Sequence, residues 1–153
     1  MTSVLTLELK RMNLPALPVS TPVVLLYSIA IASALIYLPY TLVAYERLQL
    51  GPQAFVTPRA ATDKLPGFAQ RASWAHQNGF ETFTTFATAA LMAYVTGVQS
   101  PTAAWAAIAF VLARSVYPVF YIANIAAGRA LMFAVGSSST AILFILSLLH
   151  ITQ

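Results

Sequence analysis

Arg114, Tyr117, Tyr121 and Asn124 follow one another at steps of three, four and three residues, the interval that returns to one face of an α-helix. A guanidinium and two phenols on that face can bind an anionic or a thiol ligand, because arginine supplies planar donors and each tyrosine a hydroxyl set on an aromatic wall. A second stripe precedes this one. Arg71, Trp74, Asn78, Glu81 and Thr85 share a face of the stretch RASWAHQNGFETFTT, just before the apolar run ATAALMAYV, while His76 points elsewhere. Arg129, directly after Gly128, opens a further apolar segment.

These groups stand in a chain that has little room for them. Of its 153 residues 59% are hydrophobic and 8% charged, against about 45–50% apolar in an average globular protein. Four segments reach the roughly 20 residues that cross a bilayer as a helix: Thr21 to Tyr45, Ala72 to Val98, Thr102 to Ala126 and Arg129 to Ile151. The expected fold is an all-α membrane protein, a four-transmembrane-helix bundle over residues 21–153 preceded by an N-terminal lead-in at residues 1–20. Pro39 should bend the first span near one end. The main extramembrane element is the loop at residues 46–70, punctuated by Gly51, Pro52, Pro58 and Pro66.

With four crossings, Arg47, Arg59, Lys64, Arg71 and Arg129 fall on one face, against Lys10 and Arg11 on the other. The positive-inside rule then puts the long loop in the cytoplasm and both termini on the opposite side. Glu81 lies too deep to escape to the interface. A charge in mid-bilayer costs roughly 2.5–3.5 kcal/mol on insertion scales, so Glu81 is expected to face protein and to have a partner. Two readings of its stripe stand: interhelical hydrogen bonds that hold the bundle together, or a polar pocket between helices, open to the cytoplasmic face. Tyr117 and Tyr121 also suit an interfacial aromatic belt, and Arg129 a positive-inside anchor. Arg114, in the middle of its span, suits neither. The stretch GSSST at Gly136 to Thr140 reads as close helix packing.

Several classes are excluded. The chain has no cysteine, so disulfides, Cys-ligated zinc, iron-sulfur clusters and a protein thiol nucleophile are ruled out, and any thiol must arrive with the substrate. The net charge of +4 includes no basic tract, which leaves nucleic-acid binding unsupported. The first residues lack the order of a cleaved signal peptide. No inverted repeat or ring of charges points to a transporter or channel.

The motif of Arg71, Ala75-His76, Asn78 and Glu81, followed by Arg114, Tyr117 and Tyr121 and then by Arg129, resembles the superfamily of membrane-associated proteins in eicosanoid and glutathione metabolism. The resemblance runs from about Arg47 to Leu131. It implies three four-helix subunits in a homotrimer, with glutathione as co-substrate lying in a U shape between neighbouring subunits near the cytoplasmic face. Asn78 and Glu81 would hold the glutathione backbone and amine, while Arg47, Arg71, Tyr117 and Tyr121 hold its carboxylates and walls. Arg114 would join the binding set. Arg129, with Tyr121, would be catalytic by stabilising the thiolate, which attacks a hydrophobic electrophile entering sideways from the lipid bilayer. No metal is required. Trp74 and Gln77 stand where many catalytic members carry further arginines, and Trp cannot form the forked pair that Arg makes with a carboxylate. Two functions therefore stay open: a glutathione-dependent transferase or peroxidase, and a non-catalytic lipid-binding protein or accessory subunit of a larger membrane complex.

Overall fold

A computed structural model describes residues 14–152. Most of the expected lead-in, with Lys10 and Arg11, and the final residue lie outside the described residues. Helix α1 spans Thr21–Gln49, α2 Gln53–Val56, α3 Pro58–Thr62, α4 Gly67–Val95, α5 Pro101–Ile122 and α6 Ala126–Ile151, and among the described residues there is no strand. Prolines set several of these boundaries. Pro22 and Pro101 occupy the first turns of α1 and α5, where the missing N–H has no helical partner to lose. Pro66, extended at ψ 148°, precedes α4, so the second long helix begins in what reads as loop.

The long helices α1, α5 and α6 are long and apolar enough to cross a membrane. Their outer faces carry Tyr27, Leu38, Leu112, Val119 and Leu131, each more than half exposed. α4 is as long as α1 but the least apolar of the four. α1 packs chiefly on α4, and α5 on α6.

The common core is made where small residues let the helices approach. α4 buries Ala69, Ala72, Ala75, Gly79, Ala89, Ala90 and Ala93, and α5 answers with Ala103, Ala104, Ala106 and Ala107. In lipid, hiding apolar surface from water no longer drives association, so close packing decides it. Phe86 of α4 and Phe110 of α5 stack flat at the centre, ring centroids 3.7 Å apart and planes 3° from parallel. Leu25 and Leu143 seal the same cluster from α1 and α6.

α4 also presents an unusual outer face. Gln77, Glu81, Thr84, Thr88, Leu91 and Val95 are all exposed, and their alternating steps of four and three match the seam of a coiled coil. Thr84 and Thr88 turn their hydroxyls back on the carbonyls of Phe80 and Thr84.

The turn from α5 to α6 is tight. Asn124 takes φ 59° there, a left-handed conformation that asparagine tolerates better than most residues. α5 has already ended at Ile122, so Asn124 leaves the face it would have shared with Arg114 on a continuous helix. Gly128, in the first turn of α6, faces the ring of Phe120 so closely that a methyl group there would lie 2.6 Å from Cδ1. The ring must move to admit it. Gly128→Ala is expected to destabilise the protein by about 1–3 kcal/mol, the usual range for overpacking, as read by thermal unfolding in detergent.

Candidate functional site

The site grows from Arg114, which is only 7% exposed on α5. Its Nη1 donates to Oδ1 of Asn78 on α4 at 3.1 Å, and its Cζ lies 4.2 Å from the centroid of the Tyr117 ring. One turn on, the Tyr117 and Tyr121 rings meet edge to face at 5.5 Å. Arg129 closes the series from α6, its Cζ 4.6 Å from the Tyr121 ring. Guanidinium groups over aromatic faces are attractive contacts, and here cation, phenol, phenol and cation follow one another in contact. Pro118 lies within this run. It has no N–H to give the carbonyl of Arg114, which loosens the helix where the two tyrosines project.

A hydrogen bond and ring contacts link Asn78, Arg114, Tyr117, Tyr121 and Arg129 in one series. Glu81 itself is exposed in the single chain, and the partner expected of it from the sequence is not supplied by Arg114, whose hydrogen bond goes to Asn78. The stripe on α4 divides: Asn78 turns towards α5, while Trp74, 48% exposed, Gln77 and Glu81 face outward.

Arg71 lies at the edge of the group. Its Nε donates to the carbonyl of Ile122 at 2.8 Å, tying the start of α4 to the end of α5. Arg47 lies apart and is buried. Its Nη1 donates to the Tyr40 hydroxyl at 3.1 Å, and its Nη2 to the Pro58 carbonyl at 3.0 Å and the Thr62 hydroxyl at 3.2 Å. Within one chain Arg47 holds α3 to α1. Its Nε is sealed without a partner.

His76, on the far side of α4, places Nδ1 2.7 Å from the carbonyl of Ile36. A carbonyl only accepts, so Nδ1 carries the proton. The ring sits 4.8 Å from Tyr40 and 5.1 Å from Phe80, near Pro39 of α1.

Two spaces adjoin Arg114. The smaller, about 10 Å³, lies between α1, α4 and α5 next to Pro39, Gly79 and Pro118. The larger, about 130 Å³, lies between α4, α5 and α6 and includes Thr85, Phe110, Phe133, Gly136 and Ser137. Sequence reading assigned the stretch from Gly136 to Thr140 to packing, and Gly136 does lie against Phe110 and the Arg114 stem. That it also walls a cavity was missed; the only available signal was a small residue opposite a mid-span arginine. Among the described residues no group of three or more His, Cys, Asp or Glu could hold a metal ion.

Long apolar helices closed around guanidinium and phenol groups define an integral membrane protein with a polar site between its helices. The model of the MAPEG family matches residues 24–149, which takes in every residue of that site. The chain belongs to this family. No curated protein and no solved structure matches it significantly.

Proposed function

We propose that the protein is a membrane-bound, glutathione-dependent transferase or peroxidase acting on hydrophobic electrophiles. The observation that supports this most directly is the contact series of Arg114, Tyr117, Tyr121 and Arg129, with Asn78 bonded to its first member and Glu81 one helical turn beyond Asn78 on α4, in a chain of a family that generally uses glutathione. Asn78 and Glu81 offer acceptors for an amine, and the arginines and phenols offer donors for carboxylates. Arg129 stabilises the thiolate. A thiol has a pKa near 8.5, and each unit of depression corresponds to about 1.36 kcal/mol of preference for the anion. The thiol proton leaves to water, the sulfur bonds to the electrophilic carbon, and with an aryl halide the halide departs with its electron pair.

In this reading α4 crosses the membrane as the second of four spans, and the subunits meet as a homotrimer. The exposed seam of Gln77, Glu81, Thr84 and Thr88 favours such an assembly, because polar side chains on a spanning helix avoid lipid. Glu81 then finds protein rather than acyl chains, and Arg47 lies near the glutathione of a neighbouring subunit. The loop between α1 and α4 faces the cytoplasm, with the termini opposite.

A second reading is favoured by Trp74 and Gln77, which put an indole and an amide on the outer face of α4, and by Arg47, whose donors are engaged within the chain. It makes the protein a non-catalytic lipid-binding or accessory subunit of a larger membrane complex. Direct titration decides between them. The purified protein in detergent is expected to bind glutathione at millimolar concentration, to show a thiolate absorbance at neutral pH, and to conjugate glutathione to a model aryl halide. Absence of both binding and turnover would leave the second reading standing.

A further inference from the structure

The link between α1 and α4 buries its small residues and exposes its large ones. Ala54 of α2 and Ala61 of α3 are buried, and Leu65 joins Val43, Ala69 and Ala72 in a cluster where α1 and α4 meet. Phe55 and Val56, directly after Ala54, are instead 51% and 71% exposed, and Leu48 and Leu50, where α1 ends, are open as well. A link that met only water would show polar groups at such positions. Its path is also set. Gly51, at φ 85°, turns the chain as it leaves α1, and Nε2 of Gln70 donates to the carbonyls of Asp63 at 3.2 Å and Leu65 at 2.9 Å. With Ala54, Ala61 and Leu65 filling the inner side, Phe55 and Val56 have no place there.

Position supplies what covers them. α1, at 29 residues, runs about 43 Å against a hydrocarbon layer of about 30 Å, so its end reaches the head groups. α4 packs beside α1, with His76 bonded to Ile36, and the link therefore leaves and returns at the same end of the bundle. Arg59 and Lys64 are exposed on it, against one exposed carboxylate, Asp63.

We infer that residues 50–66 form an interfacial platform for anionic phospholipid, in which Phe55 and Val56 dip below the head groups while Arg59 and Lys64 bind lipid phosphate in the same leaflet. Segments that pair large apolar side chains with nearby basic ones lie in the plane of the interface, held by apolar burial and by attraction to anionic lipid. Each cation near an anionic surface favours it by about fivefold, and Asp63 opposes one of the two, which leaves a preference of about fivefold for phosphatidylglycerol over phosphatidylcholine. A free phosphate ion offers nothing to Phe55 and Val56. None of these four side chains belongs to the proposed glutathione site, so the failure of that reading leaves this one intact.

The chain has no cysteine, so a single Val56→Cys carries a nitroxide in the full protein, reconstituted in vesicles of phosphatidylcholine with phosphatidylglycerol as the minor component. Oxygen, which concentrates among acyl chains, should relax this probe more strongly than a water-soluble nickel chelate. The reverse order would overturn the platform, and low access to both reagents would do so in favour of a second copy of the chain covering the surface. Native mass spectrometry of protein released from nanodiscs of the same lipids then counts what is retained. Phosphatidylglycerol is expected in about fivefold excess over its bulk share, falling to within about twofold in Arg59→Gln with Lys64→Gln and persisting in Lys64→Arg. An excess unchanged in the double variant would remove the head-group contact. Asp63→Asn takes away the opposing carboxylate and should raise the excess by about a further fivefold, a gain that stays measurable even where the double variant fails to fold; no rise there would equally count against the site.

Discussion

Arg129→Leu is expected to remove the thiolate absorbance of bound glutathione at neutral pH and to lower turnover by about a hundredfold to a thousandfold, the usual effect of deleting one donor aimed at a developing anion. Arg129 enters α6 just after the turn at Asn124, and its guanidinium is held over Tyr121 at 4.6 Å. That contact fixes the cation with no carboxylate of the described residues paired to it, which is what the proposed role in favouring a thiolate requires. Leucine keeps the bulk and removes the charge. The proposed homotrimer should survive, since Arg129 lies in the first turn of α6, away from the α4 seam. Arg129→Lys should recover part of the signal, because it restores a point charge without the planar fork. Difference spectroscopy on the two variants and size analysis of the same samples check the result; a thiolate that persists in Arg129→Leu would move the role to another cation.

The second large effect falls on stability. Asn78→Leu removes the amide that receives Nη1 of Arg114 and leaves a buried guanidinium facing an apolar side chain. A hydrogen bond to a charged group contributes about 1.5–3 kcal/mol, and a donor left unsatisfied costs its full desolvation. The loss expected is therefore about 2–3 kcal/mol, measured by unfolding in mixed micelles. Replacing both partners, Asn78→Leu with Arg114→Met, should recover much of it, because an apolar pair of similar volume carries no buried charge. A single variant as stable as wild type would mean that Arg114 draws its compensation from elsewhere.

Much of the architecture could be read from the chain because the bilayer simplifies the code: an apolar run of sufficient length is a helix. The start of α4 is a local exception, since Gly67 to Gln70 reads as loop by composition and is helical because Pro66 is an extended residue that launches a helix. The face occupied by Arg114, Tyr117 and Tyr121 was legible from spacing. Asn124 was not, because steps of three and four say nothing about where a helix stops, and its positive φ comes from the turn.

The two stripes on α4 show a second limit. Trp74 and Glu81 satisfy helical spacing with Asn78 and Thr85, but equally with Gln77, Thr84 and Thr88. Only the neighbouring helices decide which side is inside, and they take Asn78 while leaving Gln77 and Glu81 out. Arg47 marks a third. Its acceptors are Tyr40, Pro58 and Thr62, two of them set by the path of a proline-rich loop that no periodicity encodes. Family likeness gave Arg47 a ligand; within one chain the loop takes up its donors.

The polarity of α4 bears on how the chain is born. A helix carrying Gln77, Glu81, Thr84 and Thr88 on one flank leaves the translocon's lateral exit at a penalty of several kcal/mol if it meets only acyl chains. α1 emerges first and covers the opposite flank through Ile36 and Gly79, which does nothing for the polar one. In the proposed homotrimer sister copies would cover that flank, so entry of this segment into the membrane would be coupled to assembly.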